Sequence, residues 1–311
     1  MEFSHTTVLL NEAVESLNIK PDGIYIDGTA GGGGHSAKIL EKLTNGKLIS
    51  IDRDPDAIEV VKKRFENNPC SVVVKSNYSD LKNVANSLGF LKVNGVLLDL
   101  GVSSWQFDCA ERGFSYHKEA PLDMRMSKEG VSAYDLVNTY TAEQLSRIFA
   151  EYGEEKFAYK IAKLIEKKRT LEPIKTTTQL ADIISAAYPA AAKRDAHPAR
   201  KVFQALRIAV NGEIEALKPS LESAFDLLEN GGRLAVITFH SIEDRIVKQC
   251  MNEWTKGCIC PKDFPICVCG RTPAAKLVYK HPVIPSDEEI EQNNRSRSAK
   301  LRACEKLHDR Y

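Results

Sequence analysis

Ile24-Tyr25-Ile26-Asp27-Gly28-Thr29-Ala30-Gly31-Gly32-Gly33-Gly34-His35-Ser36 decides how this chain is read. A short apolar run ends in an aspartate, a glycine-rich turn follows, and Ser36 opens a helical pattern of apolar residues (Ala37, Ile39, Leu40, Leu43). Strand, tight turn and helix in that order form the opening unit of a doubly wound α/β sheet. Glycine suits the turn because the backbone must take positive φ and approach a ligand closely. Lys47-Leu48-Ile49-Ser50-Ile51 reads as the second strand, with Asp52 at its end. A carboxylate there can accept both hydroxyl hydrogen bonds of a ribose. The plain alternative is a glycine-rich hairpin with surface aspartates.

The acids narrow the ligand. A nicotinamide dinucleotide would set its pyrophosphate on the turn, and the charge of Asp27 would repel it. S-adenosylmethionine has a ribose and an adenine but no phosphate, and it carries a sulfonium and an ammonium. It suits an aspartate beside the turn better.

Composition bounds the rest. The chain has 311 residues, 43% hydrophobic and 27% charged, enough for a full core and a second domain. No apolar run reaches the ~20 residues of a membrane span, and Met1 to Leu10 does not read as a signal peptide. The expected compartment is therefore the reducing cytoplasm, where the eight cysteines serve as thiols or metal ligands. The net charge of +1 hides an asymmetry: twelve Lys/Arg face four Asp/Glu between Lys156 and Arg207. Such a segment can meet a phosphate backbone or simply form a solvated helical face.

Four strands are expected before residue 101, at 24–27, 47–51, 71–74 and 94–100, separated by helices, including one over 55–65 that starts at Pro55. The next buried strand is Arg233 to Phe239, after a helix over 211–228 closed by Gly231-Gly232. Helical patterns fill the interval at 141–152, 155–168, 176–187 and 201–210, with capping signals at Thr141 and at Thr176 to Thr178. This is too long for a loop. Residues 1–107 and 206–311 therefore read as the α/β domain, and 108–205 as an inserted helical domain for substrate recognition. Lys276 to Lys280 and Ala299 to Cys304 are candidates for a last antiparallel strand pair.

Asp99-Leu100-Gly101-Val102-Ser103-Ser104 ends the fourth strand and shares an edge with the glycine turn. Methyltransferases acting on exocyclic amines hold an Asp or Asn there. The N4 amine of cytosine is a poor nucleophile because its lone pair is delocalised into the ring. A carboxylate accepting its N–H bond favours a pyramidal nitrogen aimed at a methyl group, and positioning then supplies most of the rate. Asp99 is the catalytic candidate, with a turn or capping aspartate as the alternative. His240 ends the neighbouring strand and is read as shaping the site. Trp105, Phe107, Phe114 and Tyr116 can stack an extruded base or pack a core. Arg112, Arg125, Lys193, Arg194, Arg200 and Arg207 are candidates for phosphate contacts, and His197 for the substrate site. Methylation at cytosine C5 would need a thiolate, for which Cys109 is the one cysteine near that strand end. Cys258-Ile-Cys260 and Cys267-Val-Cys269 offer four thiolates for a structural zinc, or four reduced thiols in a surface loop.

Taken together, these segments resemble the bacterial small-subunit ribosomal RNA cytosine-N4 methyltransferase H family, also called MraW, over nearly the full length. The resemblance is carried by His5 to Leu10, Tyr25 to Ser36, Ile51 to Asp54, Leu98 to Ser104, Glu111 to Ser115, Pro121 to Met126, His197-Pro198-Ala199, Phe239 to Lys248 and Arg295 to Ser298. The chain has Trp105 where the family commonly has proline. The resemblance implies a Rossmann-like class I methyltransferase sheet and methyl transfer from S-adenosylmethionine to a decoding-centre cytidine of small-subunit rRNA, in an assembled or assembling 30S particle. It also implies cofactor contacts at Gly33, Gly34, His35, Asp52, Tyr78, Asp99 and Gln106, with Tyr78 on the adenine. The substrate candidates are Trp105, Arg112, Arg194, His197 and Arg200. Two other classes remain open from the residues: a noncatalytic ribosome-assembly binder, and a nicotinamide-dependent oxidoreductase on the same fold.

Overall fold

The computed structural model describes residues 7–189, 197–261 and 266–310. Two compact units result: Met1–Gly101 with Ile214–Tyr311, and Val102–Glu213. The boundaries read from the sequence, at 107/108 and 205/206, both fall inside the second unit. In chain order the elements are α1 (Leu10–Ser16), β1 (Ile24–Asp27), α2 (Gly34–Leu40), β2 (Lys47–Asp52), α3 (Pro55–Arg64), β3 (Ser71–Lys75), α4 (Leu81–Ser87) and β4 (Val93–Asp99). Next come α5 (Ser104–Asp108), α6 (Ala133–Thr139), α7 (Ala142–Gly153), α8 (Ala158–Arg169), α9 (Thr177–Ala187) and α10 (Ala199–Asn211). The chain closes with α11 (Glu213–Leu227), β5 (Leu228–Thr238), α12 (Ser241–Trp254), β6 (Ala275–Leu277), α13 (Asp287–Gln292) and β7 (Lys300–Lys306).

In the first unit the strands form one sheet in the order β3-β2-β1-β4-β5-β7-β6. The first five are parallel to their neighbours, and β7 runs antiparallel to both β5 and β6. This is the expected α/β, Rossmann-like doubly wound sheet with a closing antiparallel pair. Both faces are covered, so the strands read as continuous apolar runs. The period-two alternation sends Ile26, Val96, Leu98 and Val236 into one core with α4, α11 and α12. It sends Tyr25, Leu97, Ala235 and Ile237 into the other with α1 and α2. Each fully buried Ile or Leu contributes roughly 1.5–3 kcal/mol. The chain runs outward from β1 to β3, then returns to β4 on the other side of β1. That reversal opens a crevice at the carboxyl ends of β1 and β4, where open α/β sheets bind ligands.

One expectation is corrected at β5. Gly231-Gly232 do not close the preceding helix. The helix stops at Leu227, and Leu228 already pairs with Val93, whereas Arg233 pairs with Gly95. The glycines sit in the resulting bulge, where Gly231 takes φ +84°.

In the second unit α6 to α10 enclose a core of their own, including Leu145, Phe149, Ile161, Ile165, Leu180, Ile184, Val202 and Leu206. The local signals are strong. Ser103/Gln106, Ser132/Asp135, Thr141/Gln144 and Thr176/Gln179 form reciprocal capping boxes on α5, α6, α7 and α9. The short α5 and α6 went unmarked by apolar periodicity. A buried Asn211 joins the end of α10 to the preceding loop: its Oδ1 accepts from Met126 N at 2.9 Å, and its Nδ2 donates to Met124 O at 2.8 Å. Among the described residues, no helix is long and apolar enough to cross a membrane.

Candidate active site

The first unit brings three carboxylates to the carboxyl edge of its sheet, and their surroundings set them apart. Asp27 ends β1 and is fully buried. Its Oδ2 accepts from Ser36 Oγ at 2.7 Å and its Oδ1 from Thr29 N at 3.2 Å, while Ser36 Oγ also lies 2.9 Å from Ser50 Oγ. The sequence reading had the charge of Asp27, beside the turn, favour a cationic ligand over a phosphate. In the structure both oxygens are turned inward and hold the glycine turn on β1, β2 and α2. Burial pushes its carboxyl up to about 6, against the opposing pull of those hydrogen bonds.

Asp52, at the end of β2, is half-buried and faces the turn. Its Oδ2 accepts from Gly31 N and its Oδ1 from Asp54 N, both at 2.8 Å. Each oxygen keeps a second lone pair. Burial raises this carboxyl to about 6 as well, with the charges of Asp54 and Asp27 adding to the rise.

Asp99, at the end of β4, is anchored through its backbone: Asp99 N donates to Thr29 Oγ1 at 2.6 Å. Its Oδ2 lies 3.8 Å from His35 Nδ1, and the side chain is 18% exposed. Its Oδ1 is buried and accepts no hydrogen bond from the described residues. A buried carboxylate oxygen in that condition is costly unless a ligand supplies the donor. Burial raises the carboxyl well above the usual carboxylate range, and the neighbouring charges of Asp27 and Glu243 push it further.

The turn is shaped for close approach. Gly31 and Gly33 take φ of +50° and +77°, a region that side-chain-bearing residues rarely adopt. Gly34 opens α2, and a Cβ there would stand 1.8 Å from Thr7 Oγ1. His35, on the first turn of α2, is 4% exposed, and its Nε2 lies 3.2 Å from Val8 O. A carbonyl only accepts, so Nε2 carries the proton and Nδ1 faces Asp99. Tyr78 opens a short 3₁₀ turn after β3, is half-buried and packs against the core that holds Ile26, Leu81 and Leu98. His240 caps α12, where its Nδ1 accepts from Glu243 N at 3.4 Å and its Nε2 lies 3.0 Å from Glu243 Oε1. Nδ1 thus holds the first turn of α12, while Nε2 is buried and makes no aligned hydrogen bond with the described residues.

The remaining site candidates belong to the second unit. Gln106 is 4% exposed, and its Oε1 accepts from Ser103 N in the α5 capping box. Trp105 stands beside it on α5, half-buried. Arg112 was expected on phosphate but is 6% exposed, its Nη2 donating to Arg125 O and Met126 O at 3.0 and 2.8 Å. That guanidinium is occupied in holding a loop, which corrects the expectation. Arg125 pairs with Asp123 at 2.7 Å, and Arg207 with Glu213 at 2.9 Å. His197 is exposed and stacks on Tyr116 with centroids 4.5 Å apart and an angle of 15°. Phe203 meets Tyr116 edge-on at 5.3 Å, and Arg200 is exposed and close enough for its charge to act on the Tyr116 hydroxyl. Lys193 and Arg194 lie outside the described residues. The four cysteines 258, 260, 267 and 269 gather in the loop between α12 and β6.

Residue-by-residue reading missed Thr29, Ser36 and Ser50, which hold Asp27 and Asp99, and Glu243, which meets His240. Thr29 and Ser36 stand inside the quoted turn, and Glu243 follows His240 at capping distance, so the signals were present for those three.

The sequence profile described as the MraW methylase family matches residues 2–307. A Clostridium botulinum protein named ribosomal RNA small subunit methyltransferase H is 53% identical over 309 residues, covering 99% of this chain and 100% of the relative. One of the same name from Carboxydothermus hydrogenoformans is 50% identical over 309 residues, covering 99% of each. Among solved structures, an rRNA methylase from Streptococcus thermophilus aligns over 98% of this chain and 100% of its own, at 10% identity and a TM-score of 0.45, a likeness too distant to bear on function. On the strength of the profile match and of relatives at half identity over their whole length, the chain belongs to the MraW methylase family.

Proposed function

We propose that this chain transfers a methyl group from S-adenosylmethionine to the N4 amine of a decoding-centre cytidine in small-subunit ribosomal RNA, within an assembled or assembling small subunit in the cytoplasm. The names of its half-identical relatives support the substrate class. The observation that carries the reading is Asp99: a carboxylate at the switch point of the sheet, fixed by Thr29, with one buried oxygen in want of a donor.

The donor set at this edge suits the cofactor. Asp52 retains a lone pair on each oxygen for the two ribose hydroxyls, and Tyr78, on the turn after β3, is the candidate for the adenine. Gly33 and Gly34 let the backbone come close, and His35 fixes the first turn of α2 against Asp99. When bound, the cofactor supplies an electrophilic methyl on a cationic sulfur. A cation next to Asp99 favours its ionised form, which burial and the charges of Asp27 and Glu243 disfavour. The carboxylate then accepts an N–H bond of the amine and turns the nitrogen lone pair toward the methyl carbon. Positioning is the main work of the site, and the amine sheds its proton after transfer, so His240 need not act as a base. In the second unit, the exposed His197, stacked on the half-buried Tyr116, with Arg200 nearby, is suited to a base and its phosphate.

Labelled cofactor incubated with small subunits lacking the modification tests this. The native chain is expected to label the RNA, and Asp99→Ala to label none while melting like the native protein. A native chain that binds the RNA without transfer would favour the assembly-binder reading. Undiminished transfer by a folded Asp99→Ala would remove Asp99 from the chemistry.

A further inference from the structure

The loop between α12 and β6 carries chemistry that methyl transfer does not use. Cys258 and Cys260 stand on one arm and Cys267 and Cys269 on the other, and all four sulfurs lie within 4.8 Å of one another. Cys267 Sγ is 3.6 Å from Cys269 Sγ, which is 3.8 Å from Cys258 Sγ. Four thiolates around a zinc ion at about 2.3 Å define a tetrahedron with edges of about 3.8 Å. Those two separations match such edges, and the others stay within 4.8 Å. Disulfide sulfurs would sit about 2.05 Å apart, so the quartet surrounds a centre instead of forming pairs.

Two further observations point the same way. Each arm directs backbone N–H groups at sulfur: Cys260 N donates to Cys258 Sγ at 3.4 Å, and the N–H groups of Arg271 and Ile259 reach Cys269. Such donors stabilise thiolates and orient metal ligands. The loop also buries no apolar side chain of its own among the described residues: Ile259, Ile266 and Val268 are 59%, 74% and 73% exposed, and Cys258, Cys267 and Cys269 are exposed with them. A segment that turns its apolar side chains outward has no hydrophobic core to hold it, and a metal can supply the missing cross-link.

We propose that Cys258, Cys260, Cys267 and Cys269 bind one zinc ion that fixes this loop. With all four positions taken by thiolates the site is closed, so its role is structural. The assembled centre has a net charge of −2, and Lys256 and Arg271 flank its two arms in sequence.

The full-length chain, purified without chelator or added metal, is expected to hold one zinc per molecule by elemental analysis. After chelation, the reduced protein titrated with cobalt(II) should show thiolate charge-transfer bands and tetrahedral d–d bands that saturate at one equivalent. The double variant Cys258→Ser/Cys269→Ser should lose both signals and be cut by protease within 255–274, with S-adenosylmethionine binding unchanged as a check on the fold. Zinc-free protein without cobalt bands, iron in place of zinc, disulfides within the quartet of freshly prepared protein, or full zinc content in the double variant would each overturn the proposal.

Discussion

Asp52→Asn separates the cost of a buried charge from its use. The carboxyl stands near 6 in the folded chain and near 3.9 in an unfolded one. That rise of about two units costs the ionised, folded form about 3 kcal/mol. The sign follows: below the unfolded value both states are protonated and nothing is lost. Stability falls as pH rises toward 6, and the whole penalty stands above it. Asparagine cannot ionise, so at neutral pH it removes the penalty. It has one acceptor oxygen where Asp52 meets two backbone donors, Gly31 N and Asp54 N. Leaving one of them facing an amide costs about 1–3 kcal/mol. The two effects nearly cancel, so the variant should melt close to the native protein at pH 7 and below it in acid. Affinity has no such compensation. Losing one or two charge-assisted bonds to ribose hydroxyls, at about 1.5–3 kcal/mol each, should weaken S-adenosylmethionine binding by at least about tenfold. Titration calorimetry and melting curves at several pH values measure both. A folded variant with native affinity would refute the assignment of Asp52 to the ribose.

Cofactor binding should release protons, because burial raises the carboxyls of Asp52 and Asp99 and a bound cation favours their ionised forms. Calorimetry in buffers of different ionisation enthalpy should give different apparent heats, with affinity rising as pH increases through about 6 by up to tenfold per proton per pH unit. A flat profile would contradict this. Tyr116→Ala, with Arg200→Ala beside it, should raise the KM for small subunits about tenfold or more, on the scale of one lost base stack, and leave cofactor affinity unchanged. An unaltered KM would take this surface out of RNA binding. Asn211→Ala removes the bonds to Met124 O, Met126 N and Arg207 O. It should lower stability by about 2–4 kcal/mol in denaturant unfolding, and a loss under about 0.5 kcal/mol would show that water replaces it.

What was legible in the sequence was local. Apolar runs of strand length, ended by Asp27, Asp52 and Asp99 and punctuated by glycine, mark β1, β2 and β4. The boxes Thr141/Gln144 and Thr176/Gln179 mark α7 and α9 because a cap and its partner lie three residues apart. What was not legible depends on partners distant in sequence. Asp27 turns inward because Ser50, from another strand, completes its nest through Ser36. Arg112 is buried because the left-handed turn at Met124, φ +60°, precedes the carbonyls of Arg125 and Met126 that it ties. Gly231-Gly232 looks like a helix stop and serves as a strand bulge, which only the pairing of Leu228 with Val93 reveals. The nicotinamide reading could not be dismissed from the turn alone and falls with membership of a methylase family.

The central claim is that Asp99 prepares an exocyclic nitrogen. Digestion of small-subunit RNA methylated by the purified chain, with mass spectrometry of the nucleosides, tests it directly. The account predicts N4-methylcytidine at a single decoding-centre position; 5-methylcytidine, or methylation of a ribose oxygen, would contradict it.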